Sequence, residues 1–161
     1  MKRSPSRNVV IKGTLVEGIK ESGLFMSIPW VREQFIEKLG VDPYPGTLNL
    51  EIKDSQDLDK LTELKSRAGI DILPMDPGFC SAKCFHVLIC GKVKGAIVIP
   101  LIDDYPESKL EIIASERLKD LLSLKVGDIV LIEIDLGNRS ERNGVRSSRK
   151  TAGKPTLVTT W

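Results

Sequence analysis

Thr47 and Asn49 stand two residues apart in Pro43-Tyr44-Pro45-Gly46-Thr47-Leu48-Asn49-Leu50, a spacing at which they can share one hard cation. On an extended backbone side chains repeat every second residue, so both project from one side with Cα atoms ~6.5 Å apart. A hydroxyl and an amide oxygen are donors of the kind magnesium takes, but neither carries charge. The negative charge for firm binding would come from bound phosphates, a common arrangement for that ion. Pro43 and Pro45 stiffen the approach, and Gly46 lets another group come close to the backbone. The same residues also read as a Pro-Gly turn followed by a solvent-facing threonine and asparagine.

A second cluster is Cys80, Cys84 and Cys90 with the single histidine, His86. Three cysteines are an odd count for a disulfide framework, and no Cys-x-x-Cys pair is present. Residues 84–90 have the pattern of a strand, so the thiols read as small buried side chains rather than zinc ligands.

The chain of 161 residues, 41% hydrophobic and 29% charged, has the size and composition of one soluble globular domain. No apolar run approaches the ~20 residues of a membrane span. The basic start, residues 1–7, leads into a charged, alternating stretch rather than the apolar run of an export signal, so a cytoplasmic location is expected. Residues 137–161 carry six basic groups and one acid, a net +5 that leaves −3 on the rest of a chain whose total is +2. Such a tail can follow nucleic-acid phosphates, but it lacks interleaved aromatics and its composition equally fits a disordered extension. Nucleic acid is therefore not expected as a partner.

The elements that must position these residues follow from periodicity. Strands are expected at 9–17 (with Gly13 a possible bulge), 24–28, 47–52, 70–73, 83–90, 95–100, 110–114 and 129–134. Pro29 opens a helix with Val31, Phe35, Ile36 and Leu39 on one face and Gly40 at its end. A second helix, 55–69, starts at a Ser55 cap and turns Leu58, Leu61 and Leu64 inward. A third is short, capped by Ser115, with Leu118, Leu121 and Leu122 inward. With no regular βαβ alternation, a mainly β domain is expected over 9–135, a compact β-barrel with helices over its openings, flanked by flexible ends at 1–8 and 136–161.

Two blocks of this sequence resemble the archaeal-type CTP-dependent riboflavin kinases. One is Leu39-Gly40-Val41-Asp42-Pro43-Tyr44-Pro45-Gly46-Thr47-Leu48-Asn49-Leu50. The other combines Gly95-Ala96-Ile97-Val98-Ile99-Pro100, Leu110-Glu111-Ile112-Ile113-Ala114, Leu118 and Gly127-Asp128. Their order and spacing agree with the family from about residue 10 to 134. The resemblance implies a six-stranded barrel of the cradle-loop type that transfers the γ-phosphoryl of CTP to the 5′-hydroxyl of riboflavin, giving FMN and CDP.

By the same resemblance Thr47 and Asn49 are the Mg2+ ligands, and Gly18, Ile19, Lys20, Glu21, Ser22 and Gly23 face the nucleotide together with Glu116, Arg117, Leu118 and Lys119. Asp103 and Glu111 fall on the flavin side, Glu111 as the catalytic carboxylate. The chain departs from the family pattern in three places. Lys20 and Ser22 replace glycines, Asp103 stands where a threonine is usual, and Lys119 replaces an arginine able to bind in two-pronged fashion. Those departures keep two other readings open: a non-catalytic flavin- or nucleotide-binding relative, and a regulatory or nucleic-acid-binding protein that uses the basic tail. The oligomeric state is not legible.

Overall fold

The computed structural model describes residues 8–18 and 28–136. Within them run β1 (Asn8–Val16), α1 (Pro29–Gln34) with a π-helical turn (Phe35–Leu39), β2 (Leu48–Glu51), α2 (Ser55–Lys65), β3 (Ile70–Ile72), β4 (Ala82–Ile89), β5 (Val93–Pro100), β6 (Lys109–Ile113), α3 (Leu118–Leu121) and β7 (Ile129–Asp135). The expected strand at 24–28 and both flanking tails fall outside the described residues.

Six strands close into an antiparallel barrel in the order β4-β5-β6-β2-β1-β7 and back to β4. Closure depends on β4 dividing one edge between two partners. Its first half pairs with β3 (Ile70↔Cys84, Ile72↔Ala82) and its second half with β7 (Val87↔Ile134, Ile89↔Ile132). No edge then remains along the second half of β4, which removes the usual liability of an open sheet. The expected mainly β barrel with short helices is the architecture found.

Alternation along the strands produces two apolar layers. Ile11 and Leu15, Leu48 and Leu50, Ile97 and Ile99, Leu110 and Ile112, and Val130, Ile132 and Ile134 fill the barrel interior. Leu61 and Leu64 of α2 join that core, as their spacing predicts. Outside the barrel, Val31, Phe35, Leu39 and Val41 pack on Ile72, Cys84, Ala96, Val98 and Ile113. Cys80 and Cys84 are buried in this outer layer, and burial pushes the Cys84 thiol well above its ordinary pKa. Among the described residues no helix is long and apolar enough to cross a membrane.

Several local expectations are corrected. Gly13 is not a bulge: the β1–β7 register runs without a skip from Asn8↔Asp135 to Thr14↔Ile129. It is instead a close approach, since a Cβ there would lie 2.8 Å from Leu50 Cβ in the interior. Ile36 is 41% exposed, because Val31, Phe35 and Leu39 recur every four residues and leave Ile36 off their line. The cap of α2 is Asp54, whose carboxylate accepts from the backbone N–H of Gln56 and Asp57. That places negative charge at the positive end of the helix. Lys83 donates to the carbonyls of Lys65 and Arg67, where α2 ends, four residues short of Gly69. The α3 helix is a single turn opened by Arg117 rather than Ser115, too short to bring Leu121 inward; that residue is 48% exposed.

Candidate active site

Asn49 and Glu111 face one another across the β2–β6 pair, both on the outside of the barrel and both buried, at 3% and 4% exposure. Buried polar groups need partners, so their hydrogen bonds define what the place can do. Thr47 Oγ1 donates to Glu111 Oε1 at 3.0 Å. Asn49 Nδ2 donates to Thr47 O at 3.0 Å and to Thr47 Oγ1 at 3.1 Å. Tyr105 donates its phenol proton to Glu111 Oε2 at 2.5 Å, and Lys109 Nζ stands 3.7 Å from the same oxygen.

Asn49 is the unusual member. A carbonyl such as Thr47 O can only accept, so the amide nitrogen must face it, which turns Oδ1 the other way. There Oδ1 is buried with no hydrogen-bond partner. A buried amide oxygen left without a partner suits a hard cation, and because the amide nitrogen now faces Thr47 Oγ1, sharing that cation with Thr47 requires the amide to turn. Among the described residues no group of three or more His, Cys, Asp or Glu side chains is placed to hold a metal. A cation at Thr47 and Asn49 would therefore draw its balancing charge from a bound anion, the condition already implied by two neutral ligands.

Gly18 lies against the same amide. A Cβ at this position would sit 2.1 Å from Asn49 Nδ2, so only glycine lets the chain leave β1 across Asn49. Of the expected phosphate loop, Gly18 is placed at the site, while Ile19, Lys20, Glu21, Ser22 and Gly23 lie outside the described residues.

Thr47 also lines a neighbouring cleft. Tyr44, Pro45, Gly46, Thr47 and Leu48 form one wall, Glu116, Arg117, Leu118 and Lys119 the other, and Ile112 and Ala114 complete the lining. Tyr44 N–H donates to Ala114 O at 2.8 Å, which ties the two walls together. Gly46 has φ 116°, a backbone that L side chains rarely adopt. Arg117 pairs with Asp120 at 2.7 Å on the exposed rim. The two blocks separated by some sixty residues in sequence thus meet at one place, with Thr47 common to the polar cluster and the cleft.

Asp103 is exposed in the β5–β6 loop, and Tyr105 of that loop is the residue that reaches Glu111. Neither Tyr105 nor Lys109 was singled out by the sequence. Lys109 shared a readable signal, since residues 109 and 111 fall on one face of a strand. Tyr105 sits in an irregular loop, where no period marks a direction. Burial first, then the charge of Glu111 and the hydrogen bond to it, raise the Tyr105 phenol far above the ordinary tyrosine value. It is a fixed proton donor.

Residues 15–134 match the family model CTP-dep_RFKase, described as a domain of unknown function, DUF120. The riboflavin kinase of Archaeoglobus fulgidus is 41% identical over 131 residues, which are 80% of this chain and 55% of that protein. The riboflavin kinase of Methanothermobacter thermautotrophicus is 35% identical over 124 residues, 77% of this chain and 98% of that protein. That of Sulfurisphaera tokodaii is 41% identical over 130 residues, 78% of this chain and 95% of that protein. The chain therefore spans little more than half of the Archaeoglobus protein and nearly all of the other two. The matched segment contains the whole of the polar cluster and the cleft.

Proposed function

This chain belongs to the CTP-dependent riboflavin kinase family, and we propose that it transfers the γ-phosphoryl group of CTP to the ribityl 5′-hydroxyl of riboflavin, giving FMN and CDP. The observation that carries this reading is Asn49 Oδ1, buried without a hydrogen-bond partner in a polar cluster whose Thr47 also lines the cleft. In this reading Thr47 and Asn49 hold Mg2+, whose bound charge offsets that of the phosphates. Gly18 to Gly23 and Glu116 to Lys119 face the nucleotide, and Asp103 and Glu111 face the flavin.

Phosphoryl transfer relies mainly on positioning and charge neutralisation, with little covalent work for the protein. Arg117 and Lys119 set positive charge on the cleft wall beside Thr47. Both oxygens of Glu111 already accept hydrogen bonds, from Thr47 and from Tyr105. A carboxylate so engaged is a poor base, so its part is to orient: it fixes the Thr47 hydroxyl and presents one negative edge to the substrate hydroxyl. The cost of burying this carboxylate is offset by the hydrogen bonds from Thr47 and Tyr105 and by Lys109 nearby.

The test is direct. Purified protein with riboflavin, MgCl2 and CTP should form FMN, separated by chromatography, and EDTA should stop it. Absence of FMN with both CTP and ATP overturns the reading. Riboflavin fluorescence that is quenched in such inactive samples would instead favour a binding protein.

A further inference from the structure

We infer that Tyr105 is the positioning residue of this site: its phenol fixes Glu111, and through Glu111 the Thr47 hydroxyl that meets the Asn49 amide. The inference rests on the reading of Thr47 and Asn49 as cation ligands and deepens it.

The hydrogen bonds form one continuous chain. Tyr105 donates to Glu111 Oε2, Glu111 Oε1 accepts from Thr47, and Thr47 Oγ1 accepts from Asn49. With its proton committed to Glu111, Thr47 Oγ1 can act only as an acceptor, toward the Asn49 amide or toward a cation that takes its place. The Tyr105 bond, at 2.5 Å, is the shortest of the chain and is made to a charged acceptor, the stronger kind. Lys109 cannot substitute for it, because 3.7 Å is an ion-pair separation and an ammonium on a flexible stem does not fix a carboxylate plane.

The phenol is itself braced. Lys109 Nζ and Lys65 Nζ lie 5.4 and 5.8 Å from the ring centroid. Lys65 also donates to Glu107 O at 3.2 Å, tying the β5–β6 loop to the end of α2. Without the phenol O–H, a buried carboxylate oxygen would have only the distant ammonium and would turn toward the cation. That would replace a neutral ligand pair with a charged one and set Glu111 in competition with the nucleotide phosphates.

The experiment compares wild type with Tyr105→Phe, which keeps the ring and removes only the O–H. Mn2+ binding in the presence of CTP, read by water proton relaxation, should weaken about 10-fold, the size seen when a group that orients a ligand is removed. The urea midpoint should stay near that of wild type. In the kinase assay kcat should fall by a similar factor while the KM for riboflavin changes less than about 3-fold. Unchanged Mn2+ affinity in Tyr105→Phe overturns the inference, as does a loss matched by a fall in the urea midpoint. Wild type that binds Mn2+ with CTP yet makes no FMN ends the kinase reading alone, and the affinity comparison still decides the role of Tyr105. Wild type that binds no Mn2+ with CTP overturns the inference.

Discussion

Val98 of β5 and Glu111 of β6 are cross-strand neighbours on the outside of the barrel, yet they belong to surfaces built on different terms. On the Val98 side, Phe35, Leu39, Cys84 and Ala96 form a dry layer whose burial stabilises through area alone. On the Glu111 side, two polar side chains are buried just as deeply, and one of them, Asn49, leaves an oxygen unsatisfied. An unmade hydrogen bond of this kind costs about 1–3 kcal/mol. One surface holds the fold, and the adjoining one spends part of that stability on a site. The comparison can be broken by substitutions that should separate stability from chemistry.

The largest expected effect is on the dry side. Phe35 is fully buried, and Phe35→Ala should lower the unfolding free energy by about 3–5 kcal/mol through cavity formation. Turnover per folded molecule, assayed well below the midpoint temperature, should stay within about 3-fold of wild type because the ring belongs to the outer apolar cluster, which contains none of Thr47, Asn49, Tyr105 and Glu111. A proportionate loss of both would mean that the two surfaces act as one. Asn49→Ala should do the reverse. Deleting the amide removes two hydrogen bonds to Thr47 together with a buried unsatisfied oxygen whose cost offsets them, so unfolding free energy should change little, by about 1 kcal/mol or less. FMN formation should drop about 100- to 1000-fold, equivalent to about 3–4 kcal/mol of transition-state stabilisation. Equal falls in stability and activity would make Asn49 a structural residue.

The same contrast explains what could be read from the sequence. The dry side was legible because it is periodic: Val31, Phe35 and Leu39 recur on a helix, and β5 from Gly95 to Pro100 is a continuous apolar run. The two blocks around the site were legible as a pattern resembling the kinase family, and Thr47 and Asn49 were paired by strand alternation. Their surroundings were not. Alternation marks Asn49 as a residue of the polar, outward face, and its burial comes from segments distant in the chain, with Gly18 packed on the amide. Tyr105 and not Asp103 touches Glu111, which depends on how an aperiodic loop folds back. Barrel closure was equally hidden, since nothing in residues 82–89 announces that one edge of β4 serves two partners.

Gly18→Ala sharpens the comparison at smaller cost. Its Cβ would fall 2.1 Å from Asn49 Nδ2, so the amide must move or the chain must lift away. Either movement disturbs the proposed cation ligands while leaving the outer apolar layer intact. Turnover should fall about 10-fold, about 1.4 kcal/mol, with a smaller change in thermal midpoint. If Gly18→Ala loses stability without losing turnover beyond the folded fraction, the approach of Gly18 to Asn49 is packing and nothing more.

The smallest effect is on pH dependence, and it tests whether the polar surface is as closed as its distances imply. The Tyr105 phenol is held protonated by burial and by Glu111, so its folded value lies above the ordinary 10.0. Below pH 10 both folded and unfolded chains keep the proton and the stabilisation is fully present. Above it the unfolded chain releases the proton while the folded chain keeps it, so stability falls as pH rises. The slope from this one group is at most about 1.4 kcal/mol per pH unit. Lys65 and Lys83 act in the opposite sense, since burial lowers their folded values below 10.5 and their contribution grows as pH climbs toward that value. Urea unfolding of wild type and Tyr105→Phe at pH 9, 10 and 11 separates the terms, because the lysines remain in both proteins. The unfolding free energy of wild type relative to Tyr105→Phe should be nearly constant from pH 9 to 10 and fall by about 1 kcal/mol by pH 11. A difference that does not change with pH would mean that water reaches the phenol and that Glu111 is not sealed beneath it.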